Sequence, residues 1–232
     1  MKTLAILLIL FTAIVTTTDR NWKKDRAVSG FQGLSVSSGI DVYLTQGSSE
    51  KLAFDVKGVD EEDVRSEVRN GVLKLYIDRK GMNWNWGRNT YVKAYLTFRQ
   101  LRTIQAGGGS DVVGQGRLSF NDLNVEAGGG SDITLTLKAN ELNASALGGA
   151  DMKLDGSARI LNAESSGGSD LDARKLTVDV CNASSSGGSD VYVNATRELS
   201  MKASGGSDIY YYGPAKVLAK SESGGSDIMH KN

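Results

Sequence analysis

The residues with the most regular chemistry are aspartates. Asp111, Asp132, Asp151, Asp170, Asp190, Asp208 and Asp227 each end a Gly-Gly-Ser-Asp tetrapeptide or a one-letter variant, at successive gaps of 21, 19, 19, 20, 18 and 19 residues. If each copy closes one coil of a stack, these side chains line up at about 4.8 Å, the separation of neighbouring strands. Adjacent ionised carboxylates then repel by about 0.9 kcal/mol in bulk water and about 3.5 kcal/mol at an effective dielectric of 20. Such a column must face solvent, hold some protons or gather cations. Calcium is the cation that oxygen-only ligands suit. An aspartate beside a serine in a tight turn has a plainer use, which is to cap that turn through an Asx-type hydrogen bond. The turn cap is the favoured reading, and no metal or other cofactor is expected. A carboxylate pair can also hydrolyse glycosidic bonds, but only if one member is raised in pKa and the other ionised. A repeat supplies near-identical environments, the opposite of that division of labour. A polysaccharide-active enzyme is therefore the runner-up, and no catalytic residue is assigned.

Trp84, Trp86 and Tyr91 form the second constellation. The two tryptophans alternate in a loop rich in glycine and asparagine, Gly81 to Asn89, so both rings can face one way. They make either a platform for a sugar or protein partner or a cover packed onto the end of the fold. The remaining singletons are weak. Cys181 occupies a position that is leucine in sister repeats and reads as a buried small hydrophobe. His230 sits in the tail, a poor place for a base. Asn-x-Ser/Thr triplets begin at Asn143, Asn182 and Asn194 and read as by-products of the repeat.

Composition removes whole classes of function. In 232 residues there are 27 basic and 27 acidic side chains, which leaves no electrostatic footprint for nucleic acid. One cysteine excludes an intrachain disulfide framework, and one histidine leaves most nucleophilic triads and multi-histidine metal sites without parts. Met1-Lys2-Thr3, an apolar run from Leu4 to Val15 and then Thr16 to Thr18 read as a secretory signal peptide over 1–18, or else an N-terminal anchor. The run is short of the about 20 residues a membrane span needs, so no span is expected in the mature chain. The expected place is outside the cytoplasm, whether periplasm, outer surface or medium.

The elements that position the aspartates follow from the alternation around them. Immediately after them stand Val112, Ile133, Met152, Leu171, Val191, Ile209 and Ile228, all apolar. Six residues before the glycine pair stand Leu123, Leu142, Leu161, Cys181, Leu199 and Leu218, and two before it come small residues such as Ala127, Ala146, Ser165 and Ser185. Period 2 means strands. A coil of two short strands cannot bury its apolar face alone but can do so stacked on copies of itself. Paired glycines suit a corner that needs positive φ. The chain is expected to be all-β, a right-handed parallel β-helix or β-solenoid with coils of about 19 residues. A propeller blade would need about 40 residues and four strands.

Residues 50–105 lack the repeat. Leu52, Phe54 and Val56 alternate as a strand, Asn70-Gly71 marks a two-residue hairpin, and Tyr91 to Phe98 reads as another strand. This stretch is expected to cap the first coils. The expected organisation is a linker at 19–30, one solenoid domain at 31–229 with regular coils at 106–229, and a tail at 230–232. Lys220 and Glu222 replace apolar or small residues near the far end, as suits a polar terminal coil.

The opening Phe31-x-x-Leu34-x-Val36-x-x-Gly39-Ile40-Asp41-Val42-x-Leu44-x-Gln46-Gly47, with the Asn70-Gly71 hairpin and the Gly-Gly-Ser-Asp coils, resembles the bacterial head-GIN domain family of auto-transporter adhesins. Asp41 stands where the name-giving motif has asparagine. The resemblance spans roughly residues 28–229 and implies a secreted or surface β-solenoid with no catalytic residues. The functional expectation is a non-catalytic, surface-binding or adhesin-like module with a glycan or surface protein as partner. A purely structural envelope component is the third alternative.

Overall fold

The computed structural model describes residues 20–78 and 89–232; the leader, Trp84 and Trp86 lie outside the described residues. These residues hold seventeen strands and no helix. The N-terminal half contains β1 (Asn21–Arg26), β2 (Gly33–Val36), β3 (Ile40–Gln46), β4 (Lys51–Lys57), β5 (Val64–Arg69), β6 (Val72–Ile77), β7 (Tyr91–Phe98) and β8 (Thr103–Ala106). The regular coils follow as β9 (Val112–Ser119), β10 (Asp122–Gly128), β11 (Asp132–Leu147), β12 (Asp151–Ser166), β13 (Asp170–Gly187), β14 (Asp190–Gly205), β15 (Asp208–Tyr212), β16 (Lys216–Gly224) and β17 (Asp227–His230).

One coil explains the rest. In β11, Ile133, Leu135 and Leu137 turn inward, and beyond the bend near Asn140 so do Leu142, Ala144 and Ala146. The first stretch pairs in parallel with β9 and the second with β10, so each coil gives one strand to each of two sheets around a common core. The apolar column from Val112 to Ile228 is in register and buried throughout. Burying each large aliphatic side chain stabilises the stack by about 1.5–3 kcal/mol. The corner glycines behave as expected, with φ of 60° at Gly129 and 69° at Gly130. The result is a parallel β-solenoid.

The leucine column ends differently from the sequence count. Val217, rather than Leu218, lies opposite Leu199, because a bulge between the Leu199 and Ser200 pairings inserts one extra residue. Leu218 is pushed outward and is 55% exposed.

The N-terminal half departs from chain order. β2 lies between β6 and β8, and β3 lies between β7 and β9, all in parallel. The first coil in sequence is therefore the second in space. Between its two coils the chain makes β4, antiparallel to β7, and the β5–β6 hairpin. That hairpin turns at Asn70 (φ 52°) and Gly71 (φ 75°), as its sequence requires.

The stretch read as a linker contains β1, antiparallel to β4. Its run Lys23-Lys24-Asp25-Arg26 hides the strand, because no apolar alternation marks it. The anchors are individual side chains. The Trp22 indole packs on Phe54 at 5.9 Å and donates to the Val59 carbonyl at 2.9 Å. The Arg26 guanidinium lies 4.9 Å from the Phe54 ring centroid and donates to the carbonyls of Val64 (2.6 Å) and Glu61 (3.1 Å).

Candidate functional surface

The aspartates form an outward column, and it has eight members. Asp41, 70 residues upstream of Asp111, stacks next to it, with Lys93 on its other side. Beyond Lys93 come Asp55 and then Lys23, the latter two ion-paired at 2.8 Å. The turn itself is closed by the serine. Ser131 Oγ accepts from the Gly128 N–H at 3.0 Å and lies 2.8 Å from the Gly128 carbonyl, and Ser207 and Ser226 repeat the geometry. The aspartate reaches the next coil instead: Asp111 Oδ1 accepts the N–H of Asp132 at 3.4 Å and Asp208 Oδ1 that of Asp227 at 3.1 Å.

Partial burial, then the flanking carboxylates, push Asp132 and Asp170 above the usual carboxylate range, while a backbone N–H of the next coil pulls each back. Asp41 is raised by burial and by Asp111 and lowered by Lys93. A line of carboxylates at strand spacing is not a ligand cage. Among the described residues no group of three or more histidine, cysteine, aspartate or glutamate side chains is placed to hold a metal ion.

Two residues along from the aspartates, a second outward column carries aromatic pairs at both ends. Tyr43 stacks on Tyr95 with centroids 5.2 Å apart, and Tyr192 on Tyr210 at 4.8 Å. At the C-terminal pair the ring faces are already covered: Arg174 lies 4.3 Å over Tyr192 and Lys231 5.0 Å over Tyr210. The phenol of Tyr210 donates to Asp208 at 3.0 Å, and burial together with this bond pushes its pKa up to about 12. Tyr91, the one described member of the tryptophan constellation, donates to Asp55 at 3.3 Å and has Lys93 5.2 Å over its ring. Cys181 is fully buried in the leucine column, and burial pushes its thiol up to about 12, which leaves it unreactive at neutral pH. His230 stacks on Tyr211 at 4.8 Å.

The other sheet bears a feature that motif reading missed. Asn124, Asn143, Asn162 and Asn182 point outward one above another, and the Nδ2 of each later residue donates to the Oδ1 of the one before, at 2.7, 2.7 and 2.9 Å. The signal was in the sequence as asparagines 19, 19 and 20 residues apart. Asn143 and Asn182 each also open an Asn-Ala-Ser triplet. Asn143, Asn162 and Asn182 border a shallow trough of about 560 Å³ that also takes in Ser145, Glu164, Ser184 and Lys202.

Fold and surface together define a parallel β-solenoid whose interior is filled by side chains and whose outer faces carry repeated polar columns. The chain belongs to the family described as putative auto-transporter adhesin, head GIN domain, whose model matches residues 30–215. A crystal structure of a putative adhesin from Bacteroides fragilis is similar, with a TM-score of 0.84 and 25% identity over 91% of this chain and 97% of that one. A putative adhesin from Parabacteroides merdae gives a TM-score of 0.67 at 16% identity over 92% and 97%. A Parabacteroides distasonis structure described as a putative lipid binding protein gives 0.65 at 16% identity over the same shares. These last two likenesses establish the fold alone, and their differing descriptions fit the rule that one fold carries many functions. No curated protein matches the sequence.

Proposed function

We propose that this chain is an exported, non-catalytic β-solenoid that acts as an adhesin-like surface-binding module, its partner a glycan or a surface protein. The observation that carries the reading is where the repeat places its chemistry. Each coil repeats its outward groups, so the aspartate column and the asparagine ladder offer extended arrays rather than one site. Catalysis needs neighbouring groups held in contrasting states, and these arrays hold like beside like. The adhesin names of the family and of the Bacteroides fragilis neighbour point the same way.

The test has two arms. Export is checked by protease shaving and fractionation of cells producing the full chain; confinement to the cytoplasm would end the reading. Binding is checked by adherence of protein-coated beads to glycan-coated and protein-coated surfaces. Beads that adhere no better than albumin-coated ones would count equally against it, and turnover of any polysaccharide would restore the enzyme.

A further inference from the structure

We infer that the trough beside the asparagine ladder binds an extended neutral polysaccharide lying along the solenoid axis. This inference rests on the surface-binding reading and names its ligand. A primary amide has two N–H donors and two acceptor sites. Each ladder bond uses one donor of one residue and one acceptor of the next. Asn143 and Asn162, bonded on both sides, each keep a spare N–H and a spare lone pair. The ladder therefore offers one donor and one acceptor per coil, about every 4.8 Å along the axis. A bonded chain of amides also polarises its members, which strengthens the groups at its surface.

The rest of the trough suits the same ligand. Its volume of about 560 Å³ falls in the usual range for binding sites. Ser145 and Ser184 add hydroxyls, and Glu164 and Lys202 balance each other in charge. A groove without net charge, rich in amides and hydroxyls, suits a polyol.

Periodicity decides between a sugar chain and a peptide. An extended peptide presents same-face side chains every about 6.7 Å, out of step with the coils by the second residue pair. Nor can it add as a strand here, because β12 and β13 are paired on both sides. A β-1,4-linked pyranose chain turns each ring over relative to the last and repeats every second sugar, a distance close to two coils, so alternate rings meet equivalent amides. The Tyr192–Tyr210 pair of the other sheet is no rival, since its ring faces are covered.

Calorimetric titration of the full chain with cellohexaose, xylohexaose and chitohexaose tests the inference. Two variants probe the trough: a combined Asn143→Ser, Asn162→Ser and Asn182→Ser chain removes the amides, and Ser184→Arg fills the groove while leaving the ladder intact. Tyr210→Ala on the other sheet is the control. The expected result is saturable binding of at least one hexaose, weakened tenfold or more in both trough variants and unchanged in the control. No binding of any hexaose overturns the inference, as does binding that Ser184→Arg leaves intact, or competition by an extended polythreonine peptide. Bead adherence read in parallel separates the two claims. Adherence without hexaose binding removes the polysaccharide groove and leaves the surface-binding reading, whereas a wild-type chain that does not adhere removes that reading itself.

Discussion

The two ends of the solenoid solve one problem in opposite ways. A stack of coils exposes an open core and a row of unpaired backbone groups at each end, an invitation to aggregate. At the N-terminal end the chain covers both: β4 and β1 add antiparallel strands to one sheet and β5 to the other, with Trp22 and Arg26 sealed against Phe54. At the C-terminal end no strand covers β16 or β17 among the described residues. Lys220 and Glu222 instead take inward positions opposite Met201 and Ala203, pair at 3.0 Å, and Glu222 accepts the Ile228 N–H at 2.7 Å. One end is closed by packed chain and the other by inward charge. The first should add stability and the second should mainly deter stacking on another molecule.

Substitutions at the two ends sharpen that contrast. Phe54→Ala at the packed end should cost about 3–5 kcal/mol, as for other buried aromatics. Leu218→Ala at the charged end should change the unfolding free energy by no more than about 0.5 kcal/mol, read from denaturant curves; equal losses would break the comparison. Arg26→Ala removes charged hydrogen bonds to two carbonyls and should cost about 1.5–3 kcal/mol. Faster hydrogen exchange confined to β1, β4 and β5 is the check. Lys220→Val with Glu222→Val should leave folding intact but bring on self-association at micromolar concentration, read by sedimentation velocity. A variant that stays monomeric would mean the charges do not guard that end.

The smallest effect concerns the column between the ends. Asp132 and Asp170 have folded pKa values raised above those of the unfolded chain. The folded state therefore binds protons more readily, and this stabilisation is full below the unfolded pKa of about 3.9 and lost as pH rises through the raised values. Replacing both with asparagine, which still accepts the next coil's N–H, should stabilise the fold at pH 7 by up to about 1 kcal/mol, since solvent screens exposed charges. The gain should vanish near pH 3. Asp227→Asn should gain less, because Asp227 has one neighbouring aspartate instead of two. Denaturant midpoints across pH test both statements, and a net loss at pH 7 would show that repulsion is not the controlling effect.

Much of this was legible in the residues. Strand alternation, the positive-φ corners, the Asn70-Gly71 hairpin and the buried place of Cys181 are local patterns, and they appear where the sequence puts them. The aspartate column was legible as a line but misjudged in detail, because two side chains in one tetrapeptide compete for the same turn. The shorter serine closes it from inside, and the aspartate is left to reach the neighbouring coil. Leu218 was misplaced because a count of residues cannot see a bulge. β1 was missed because its stability lies in Trp22 and Arg26 finding partners some 35 residues or more away.

By itself the sequence determined the coil: burial of apolar groups is non-directional and follows period and spacing, which one chain states openly. Only the tertiary structure decided who lies beside whom. It set Asp41 next to Asp111, slid the first coil between two later ones, covered the faces of Tyr192 and Tyr210 with cations and joined the asparagines into a ladder. Each of these depends on pairing between distant segments, where the free energy comes from a neighbour that the local pattern does not name.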